Sequence, residues 1–279
     1  MRTAEVIRAA RADETDAVAE LCGRLDRHDY VPRGWREWVQ AYPELSLVAE
    51  AYGRIVGCVR AGVECRGCAF AQGLRVDPEF RRTGVASALM QELFSRLSAA
   101  GVCRVLGVTM PDNAPARRLY PRLGFLEIGA IARRRHPAWK ARGLQAPPLE
   151  QDAAEALAGQ DGLLVNRPGL THCRRIWFRA PGEWLRARAQ AGLLIALQDG
   201  AWALLDPPGE GGPWIAAWRA APSRLADVAD AGVRALGSGP MPVTIEAPDH
   251  PSTQACLTEL GFEAPGAFDR YILLEASLG

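Results

Sequence analysis

Apolar and polar residues alternate along the first half of the chain with two different spacings, which separate strands from helices. A two-residue alternation bounded by turn residues predicts strands at 5–9, 45–50, 55–63, 69–76 and 105–109, with an extended segment at 127–135. Apolar residues three or four positions apart predict helices at 13–25, 35–41, 84–100 and 114–123, the first with Asp13 as its N-cap. The pattern therefore predicts an α/β fold of the mixed α+β type, with a mainly antiparallel sheet flanked by helices.

The segment that joins the strand at 69–76 to the helix at 84–100 carries the clearest chemistry. The backbone N–H groups in the first turn of a helix have no intrahelical partner, and they carry the positive end of the helix dipole. Gly84 has no side chain and Ala86 has a small one, so a diphosphate can approach this backbone closely. The segment predicts a pyrophosphate-binding loop, and an ordinary strand-to-helix turn is the alternative.

A second motif, about thirty residues downstream, is what identifies the family. Together the two motifs resemble the GNAT superfamily of acyl-CoA-dependent N-acetyltransferases, over roughly residues 5–135. The first family motif, Arg/Gln-x-x-Gly-x-Gly/Ala, falls on Arg81, Gly84 and Ala86. The second, Asn-x-x-Ala-x-x-Leu-Tyr-x-x-x-Gly-Phe, is met at Asn113, Ala116, Leu119, Tyr120, Gly124 and Phe125.

The resemblance implies acetyl-CoA as cosubstrate and assigns roles to three groups of residues. The backbone of the strand end would bind the pantetheine and the thioester oxygen, at Leu74, Arg75 and Val76. The loop would bind the pyrophosphate, through Arg81, Arg82, Thr83, Gly84, Val85, Ala86 and Ser87. Asn113 and Ala116 would also contact the cofactor. Tyr120 would be the general acid that protonates the departing thiolate, since a phenol stays protonated at pH 7; a core tyrosine is the alternative.

The general base is not evident from the sequence. Many relatives carry a Glu on the strand that leads into the cofactor motif, whereas this strand has Gln72 and no carboxylate. Gln72 can orient a substrate or a water molecule but cannot take a proton near neutral pH. Glu50, Glu64 and His28 remain candidates, and a substrate that binds already neutral would need no base.

The segment between the first two strands is the expected acceptor side. The candidate substrate-binding residues are His28, Tyr30, Arg33, Trp35 and Glu50. Arg33 or Arg36 could grip a carboxylate bidentately, and the alternative is a solvated helix with its two tryptophans packed inward. The chain also has a local resemblance to histidine N-acetyltransferases, which is carried by the residues at 29–32, by Trp38 and by the residues at 73–76. That resemblance implies a free amino acid or a related small amine as acceptor.

The second half of the chain repeats the first at an offset of 137 residues, with eight identities in the twenty-three positions 111–133. At this offset, the residues expected to carry chemistry are replaced: Arg81 by Trp218, Gly84 by Ala221, Ala86 by Ser223 and Tyr120 by Leu257. We therefore predict two tandem GNAT-like domains, catalytic at 1–140 and degenerate at 157–279, joined by a linker at 141–156.

The composition limits the classes of partner and ligand that are expected for this chain. A net charge of +1 gives no reason to expect nucleic acid, and no apolar run is long enough to enter a membrane. Seven scattered cysteines suit reduced thiols in a cytoplasm, and Cys65-x-x-Cys68 lacks the further ligands that zinc needs, so no metal is expected.

The expected partner is a small-molecule amine, and the protein is expected to be a monomer or a homodimer. A non-catalytic acyl-CoA sensor is the alternative function, and a resemblance to mycothiol synthase is a weaker one.

Overall fold

The computed structural model describes residues 4–140, 142, 147–157, 170–173, 176–209, 212–236, 240–266 and 269–278. The chain divides into two compact units. The first comprises Met1–Val108, Asn113–Leu126 and Leu274–Gly279, and the second comprises Thr109–Asp112 and Glu127–Leu273. No helix in the described part of the chain has the length and apolar character needed to cross a membrane.

The first unit is built on a mixed sheet with neighbours in the order β1-β2-β3-β4-β5. Its strands are β1 (Val6–Ala9), β2 (Ser46–Ala51), β3 (Arg54–Cys65), β4 (Cys68–Val76) and β5 (Arg104–Thr109). Its helices are α1 (Thr15–Gly23), α2 (Val31–Ala41), α3 (Val85–Ala99) and α4 (Ala114–Leu119). The first four strands are antiparallel neighbours, and β4 and β5 are parallel. The predicted mixed fold, a sheet flanked by helices, is confirmed.

Helices cover both faces of this sheet, because adjacent residues of a strand point to opposite sides. Cys58 belongs to a buried cluster with Leu21 of α1 and with Trp35 of α2. The neighbouring Gly57 faces α3 instead: a Cβ added there would lie 3.0 Å from Leu89 Cδ1. Helices α1 and α2 therefore pack on one face, and α3 packs on the other.

Three helix boundaries differ from the sequence prediction. Asp13 does not cap α1: it lies in a short 3₁₀ turn, and Glu14 follows it and accepts the Arg11 N–H at 2.7 Å. Helix α2 begins earlier than predicted, at Val31, whose N–H is bound by the Asp29 carboxylate at 3.0 Å. The predicted helix at 114–123 is α-helical only to Leu119 and continues as a 3₁₀ turn, since proline at 121 has no N–H to donate.

The second unit also combines strands with helices. Its strands are β6 (Leu126–Trp139), β7 (Leu170–Cys173), β8 (Ile176–Arg179), β9 (Leu194–Ala196), β10 (Trp202–Gly209), β11 (Gly212–Arg219), β12 (Met241–Pro248) and the start of β13 (Arg270–Ser277), whose residues from Leu274 onward belong to the first unit. Its helices are α5 (Gln151–Ala156), α6 (Gly182–Gln190), α7 (Leu225–Leu236) and α8 (Pro251–Glu259). Strands β9, β10 and β11 are antiparallel neighbours, and β11 runs parallel to β12, as β4 does to β5.

The boundaries of the units fall elsewhere than the predicted domain limits of 140 and 157. Strand β6 is grouped with the second unit, where Ala132 pairs with Ala247 of β12. Part of the predicted linker lies outside the described residues; the rest contains α5 and a bridge between Pro148 and Ile195.

The last strand of the chain contributes to the first unit. Leu274–Gly279 belongs to that unit, and β13 is the neighbour of β5 in the sheet. The Leu278 N–H donates to the Cys103 carbonyl at 2.9 Å, and Arg104 pairs with Glu275 at 3.5 Å. The sheet of the first unit is therefore completed by residues from the far end of the sequence.

Gly57 and Gly23 allow a matched test of the packing of α3 on β3. Gly57→Ala would place a methyl group 3.0–3.1 Å from Leu89, Val85 and the Arg75 carbonyl, so we expect a loss of about 1–2 kcal/mol in the free energy of unfolding. Gly23→Ala in α1 meets nothing within 4 Å and is expected to stabilise by about 0.5 kcal/mol. Urea unfolding followed by circular dichroism measures both, and equal effects would contradict the close packing at Gly57.

Candidate active site

The turn before α3 leaves backbone donors uncovered at the start of the helix. Gly84 has a φ of 91°, in the left-handed region, and Arg82 has a φ of 64°. The first helical bond runs from the Ala88 N–H to the Gly84 carbonyl at 2.9 Å, so the N–H groups of Val85 to Ser87 precede the helical ladder. A Cβ at Gly84 would meet nothing within 4 Å. The helix therefore begins with open N–H groups that suit an anion.

Strand β4 contains a bulge that reorients its backbone. Arg60 pairs with Gln72 and Cys58 with Arg75, so Gly73 and Leu74 together stand opposite a single residue of β3. Gly73 has a φ of 73°, which glycine adopts without strain. Its carbonyl accepts a hydrogen bond from the Cys58 thiol at 3.5 Å. The bulge is thus a fixed feature of the strand.

Beyond the start of the strand, β4 separates from β5. The two strands pair from Cys68 with Arg104 to Phe70 with Leu106, and the pairing of β4 with β5 extends no further. The Asp77 N–H donates to the Val56 carbonyl of β3 at 2.9 Å. Because successive N–H groups of a strand point to opposite edges, those of Leu74 and Val76 point away from β3, into the gap beside β5.

Tyr120 lies at the end of α4, with its ring against Phe125 at a centroid distance of 5.1 Å. Its hydroxyl makes no hydrogen bond to any described residue. The pKa of Tyr120 is raised to about 12, mainly by burial and also by the nearby Tyr30 phenol, while Arg75 acts in the opposite direction. Tyr120 is therefore a protonated phenol with a free hydroxyl.

A second group of side chains is anchored to the bulged strand. The Arg75 Nε donates to Asp29 Oδ2 at 2.5 Å, and a terminal nitrogen donates to Asp29 Oδ1 at 3.0 Å. The other terminal nitrogen donates to the Leu74 carbonyl at 3.0 Å. The guanidinium also lies 5.5 Å from the centroid of the Tyr30 ring, which contacts the Trp38 ring at a centroid distance of 6.2 Å. We call Asp29, Tyr30 and Arg75 the acceptor-side cluster.

The candidate acceptor residues from the sequence are found in different places. Tyr30 is 47% exposed, in the acceptor-side cluster. His28 and Arg33 are exposed, without a side-chain contact to a described residue. Trp35 is fully buried in the core with α1, so the inward-packing alternative is the correct one for this residue.

The position of one candidate base, Glu50, counts against it. The Glu50 carboxylate accepts hydrogen bonds from Arg8 at 2.8 and 3.1 Å, and Arg8 also binds Glu14. Glu50 therefore serves an ion pair between β1 and β2. The side chain of Glu64 lies outside the described residues. Gln72 is half-buried on β4, opposite Arg60, and it remains placed beside the bulge.

The predicted cofactor residues of α4 contact each other. The Asn113 Oδ1 accepts the Ala116 N–H at 3.2 Å and so caps the helix. This leaves the amide nitrogen of Asn113 able to donate to a ligand. Among the described residues, no three His, Cys, Asp or Glu side chains are grouped closely enough to hold a metal ion.

Sequence reasoning missed two parts of the site. The side chain of Arg75 was not expected to matter, only its backbone, and the Asp29 carboxylate was not considered. A physical signal for Asp29 is the proline at position 32, in the first turn of α2, which marks a helix start that Asp29 could cap.

The chain belongs to the GNAT acetyltransferase family. The Acetyltransferase (GNAT) family model matches residues 10–125. The acetyltransferase ECA0875 of Pectobacterium atrosepticum is 33% identical over 133 residues, which cover 45% of this chain and 90% of that protein. Both motifs described above, at 81–86 and at 113–125, lie within the matched region.

Solved structures are similar over the whole chain. The crystal structure of a GCN5-related N-acetyltransferase from Sphaerobacter thermophilus is 16% identical and covers 98% of this chain and 95% of that one, with a TM-score of 0.60. That of a GCN5-related N-acetyltransferase from Kribbella flavida is 15% identical and covers 98% of this chain and 72% of that one, with a TM-score of 0.51. At these identities the similarity shows the fold alone.

The raised pKa of Tyr120 makes stability depend on alkaline pH. An unfolded phenol has a pKa of about 10, so above that pH the unfolded chain loses a proton that folded Tyr120 keeps. Below its unfolded pKa, this phenol therefore does not change the free energy of unfolding. As the pH rises from there towards the folded pKa, the free energy of unfolding decreases. Relative to Tyr120→Phe, the wild type should lose about 1 kcal/mol between about pH 8 and about pH 11, measured by urea unfolding.

Tyr52→Phe controls for the loss of a hydroxyl, since Tyr52 is 67% exposed. A stability difference between wild type and Tyr120→Phe that stays constant across this pH range would contradict the buried environment of Tyr120.

Proposed function

We propose that the protein transfers an acetyl group from acetyl-CoA to the amine of a small molecule, a free amino acid or a related amine. The observation that carries this proposal is the gap between β4 and β5, where the N–H groups of Leu74 and Val76 have no strand partner beside them. A free phenol, Tyr120, supplies the remaining chemistry of the site.

In this proposal the backbone holds the cosubstrate. The loop from Arg81 to Ser87 binds the pyrophosphate through the open N–H groups at the start of α3, and exposed Arg81 and Arg82 add positive charge. The N–H groups of Leu74 and Val76 bind the pantetheine and the thioester oxygen. Such fixed donors stabilise the charge that develops on this oxygen without reorganising. Bound acetyl-CoA supplies the activated acyl group.

Tyr120 would protonate the sulfur as the thiolate leaves. The amine nitrogen would lose one proton as the amide forms, and this proton would return to the Tyr120 phenolate, directly or through water, so that the phenol is restored. Its raised pKa keeps the phenol protonated throughout the neutral range, which is the state a general acid needs. Gln72 beside the bulge would orient the amine or a water molecule. We propose that the amine reacts in its neutral form, because Asp29 and Glu50, the carboxylates described above, are each bound to an arginine.

Replacement of the Tyr120 hydroxyl tests the proposal. Thiol release from acetyl-CoA, measured with a panel of amino acids and amines, should show turnover by the wild type. Tyr120→Phe should lower kcat about a hundredfold, because the departing thiolate loses its proton donor, while CoA affinity measured by calorimetry stays within about twofold. Tyr52→Phe is the matched control and should keep the wild-type kcat. An unchanged kcat in Tyr120→Phe would remove this residue from the mechanism.

A non-catalytic acyl-CoA sensor is the second candidate function. It is favoured by the same observation about the carboxylates: those described near the site are already paired, so none is placed to take a proton. Tight CoA binding with no turnover on the whole panel would support the sensor over the enzyme.

We further propose that the second unit is a degenerate copy that binds no CoA. Strands β11 and β12 pair at Trp214 with Thr244 and at Ile215 with Ile245, and the end of β11 carries Trp218. This indole is buried and donates to the Glu246 carbonyl of β12 at 3.1 Å. In the first unit, the corresponding gap carries the open N–H groups. A tryptophan side chain thus bridges the strands that would have to admit the thioester.

The binding stoichiometry checks this division of roles. Calorimetric titration with CoA should give one site per chain, because within the described residues only the first unit has the glycine turn and the open strand gap. Trp218→Phe removes the indole donor and should leave both stoichiometry and affinity unchanged. Two sites per chain, or one site that Trp218→Phe abolishes, would contradict the proposal.

A further inference from the structure

In the acceptor-side cluster, the exposed Tyr30 ring contacts two side chains that are themselves held in place. Tyr30 is 47% exposed, yet its ring contacts both the Arg75 guanidinium and the Trp38 ring. Arg75 is fixed by two hydrogen bonds to Asp29 and one to the Leu74 carbonyl. Trp38 in turn lies under the Arg60 guanidinium at 4.9 Å. Both neighbours of Tyr30 are thus held in place, so its hydroxyl has a fixed position.

The charges of the cluster cancel. The Asp29 side chain is only 4% exposed and faces Arg75, so its negative charge is compensated and turned away from solvent. The polar groups left to a ligand are donors: the hydroxyls of Tyr30 and Tyr120 and the side-chain amide of Gln72. The pKa of Tyr120 is raised by Tyr30, which places the two phenols near each other. A cationic ligand finds no uncompensated carboxylate in this cluster, whereas an oxygen acceptor finds several donors.

The cluster is also joined to the backbone that would hold the thioester. Arg75 lies between Leu74 and Val76 on β4, and its side chain binds the Leu74 carbonyl. Because Cys58 and Arg75 are paired, the Arg75 side chain lies on the face of the sheet covered by α1 and α2. Tyr30 therefore lies on this face, next to the bulge, where an acceptor would approach the thioester from the side opposite α3.

Resting on the function proposed above, we infer that Tyr30 binds the acceptor through an oxygen atom and selects amines that carry a carboxylate or carbonyl group beside the amine. The Tyr30 hydroxyl donates to that oxygen, and the amine is thereby turned towards the thioester carbon. Arg75 and Asp29 are positioning residues, which act by holding the Tyr30 ring. Polyamines and simple alkylamines lack the oxygen and are poor acceptors.

Matched acceptors test this inference. Each set contains an amino acid, its amide and the decarboxylated amine with the same side chain, for a small, an aromatic and an imidazole side chain, and spermidine is added as a polyamine. Rates are compared at equal concentrations of the unprotonated amine. For the wild type, we expect kcat/KM to be at least about tenfold higher for the oxygen-bearing members than for the decarboxylated amine, as a hydrogen bond of this kind provides.

Tyr30→Phe keeps the ring and removes the hydroxyl. It should lower kcat/KM about tenfold for the amino acids and amides, mainly through KM, and should leave the decarboxylated amines unchanged. Tyr52→Phe is the control and should alter neither. Thermal unfolding of both variants verifies that they fold. A merely structural role for Tyr30 would lower the rates for all acceptors alike.

The outcomes separate the inference from the proposed function. Acetylation of spermidine or of the decarboxylated amines as efficiently as the amino acids would overturn the inference and leave the acetyltransferase function standing. The same holds for a Tyr30→Phe variant with wild-type selectivity. Failure of the wild type to acetylate any acceptor, with CoA bound, would overturn both.

Discussion

The site depends on one constraint, which is that backbone donors must find partners. Strand β4 starts as an ordinary neighbour of β5, with three paired residues, and then loses that neighbour. The N–H groups that follow cannot be satisfied by the sheet, and an unsatisfied donor in a folded protein is costly unless water or a ligand binds it. The bulge at Gly73 reorients the strand where the pairing has ended. Binding of an extended, acceptor-rich molecule in this gap would therefore complete the hydrogen bonding of the sheet.

The electrostatics of the site follow from the free-energy cost of burying an unpaired charge. The Asp29 carboxylate is buried, and burial of a lone charge is expensive, so its pairing with Arg75 is what permits it to lie there. The result is a polar but nearly neutral surface beside the bulge, in which the protonated phenol of Tyr120 is stable.

Sequence reasoning located the elements that depend on local pattern. The run of apolar residues before Pro78 and the amphipathic spacing after Gly84 fixed β4 and α3 to within two residues. The N-cap at Asp13 failed, because Glu14 is drawn to Arg8 of β1, a partner that local pattern does not reveal.

Contacts between distant parts of the chain were the ones that could not be predicted. Asp29 and Arg75 are 46 residues apart, and only the packing of α2 against β4 brings them together. Burial of Trp35 is a similar case: spacing allowed it to face either solvent or core, and the position of α1 decides between them. The bulge at Gly73 was also beyond the pattern, because it shows only in the pairing of Gln72 and Arg75 with β3.

The strand at the end of the chain has a consequence for biosynthesis. Residues from Leu274 onward belong to the first unit, beside β5, so this unit is completed only after residues far along the sequence have been synthesised. Until then β5 presents an open strand edge, the kind of surface on which chains associate wrongly. A shortened chain that ends before residue 274 would keep the whole cofactor motif and still carry that exposed edge permanently. The cofactor motif therefore ends much earlier in the sequence than the folding unit that contains it.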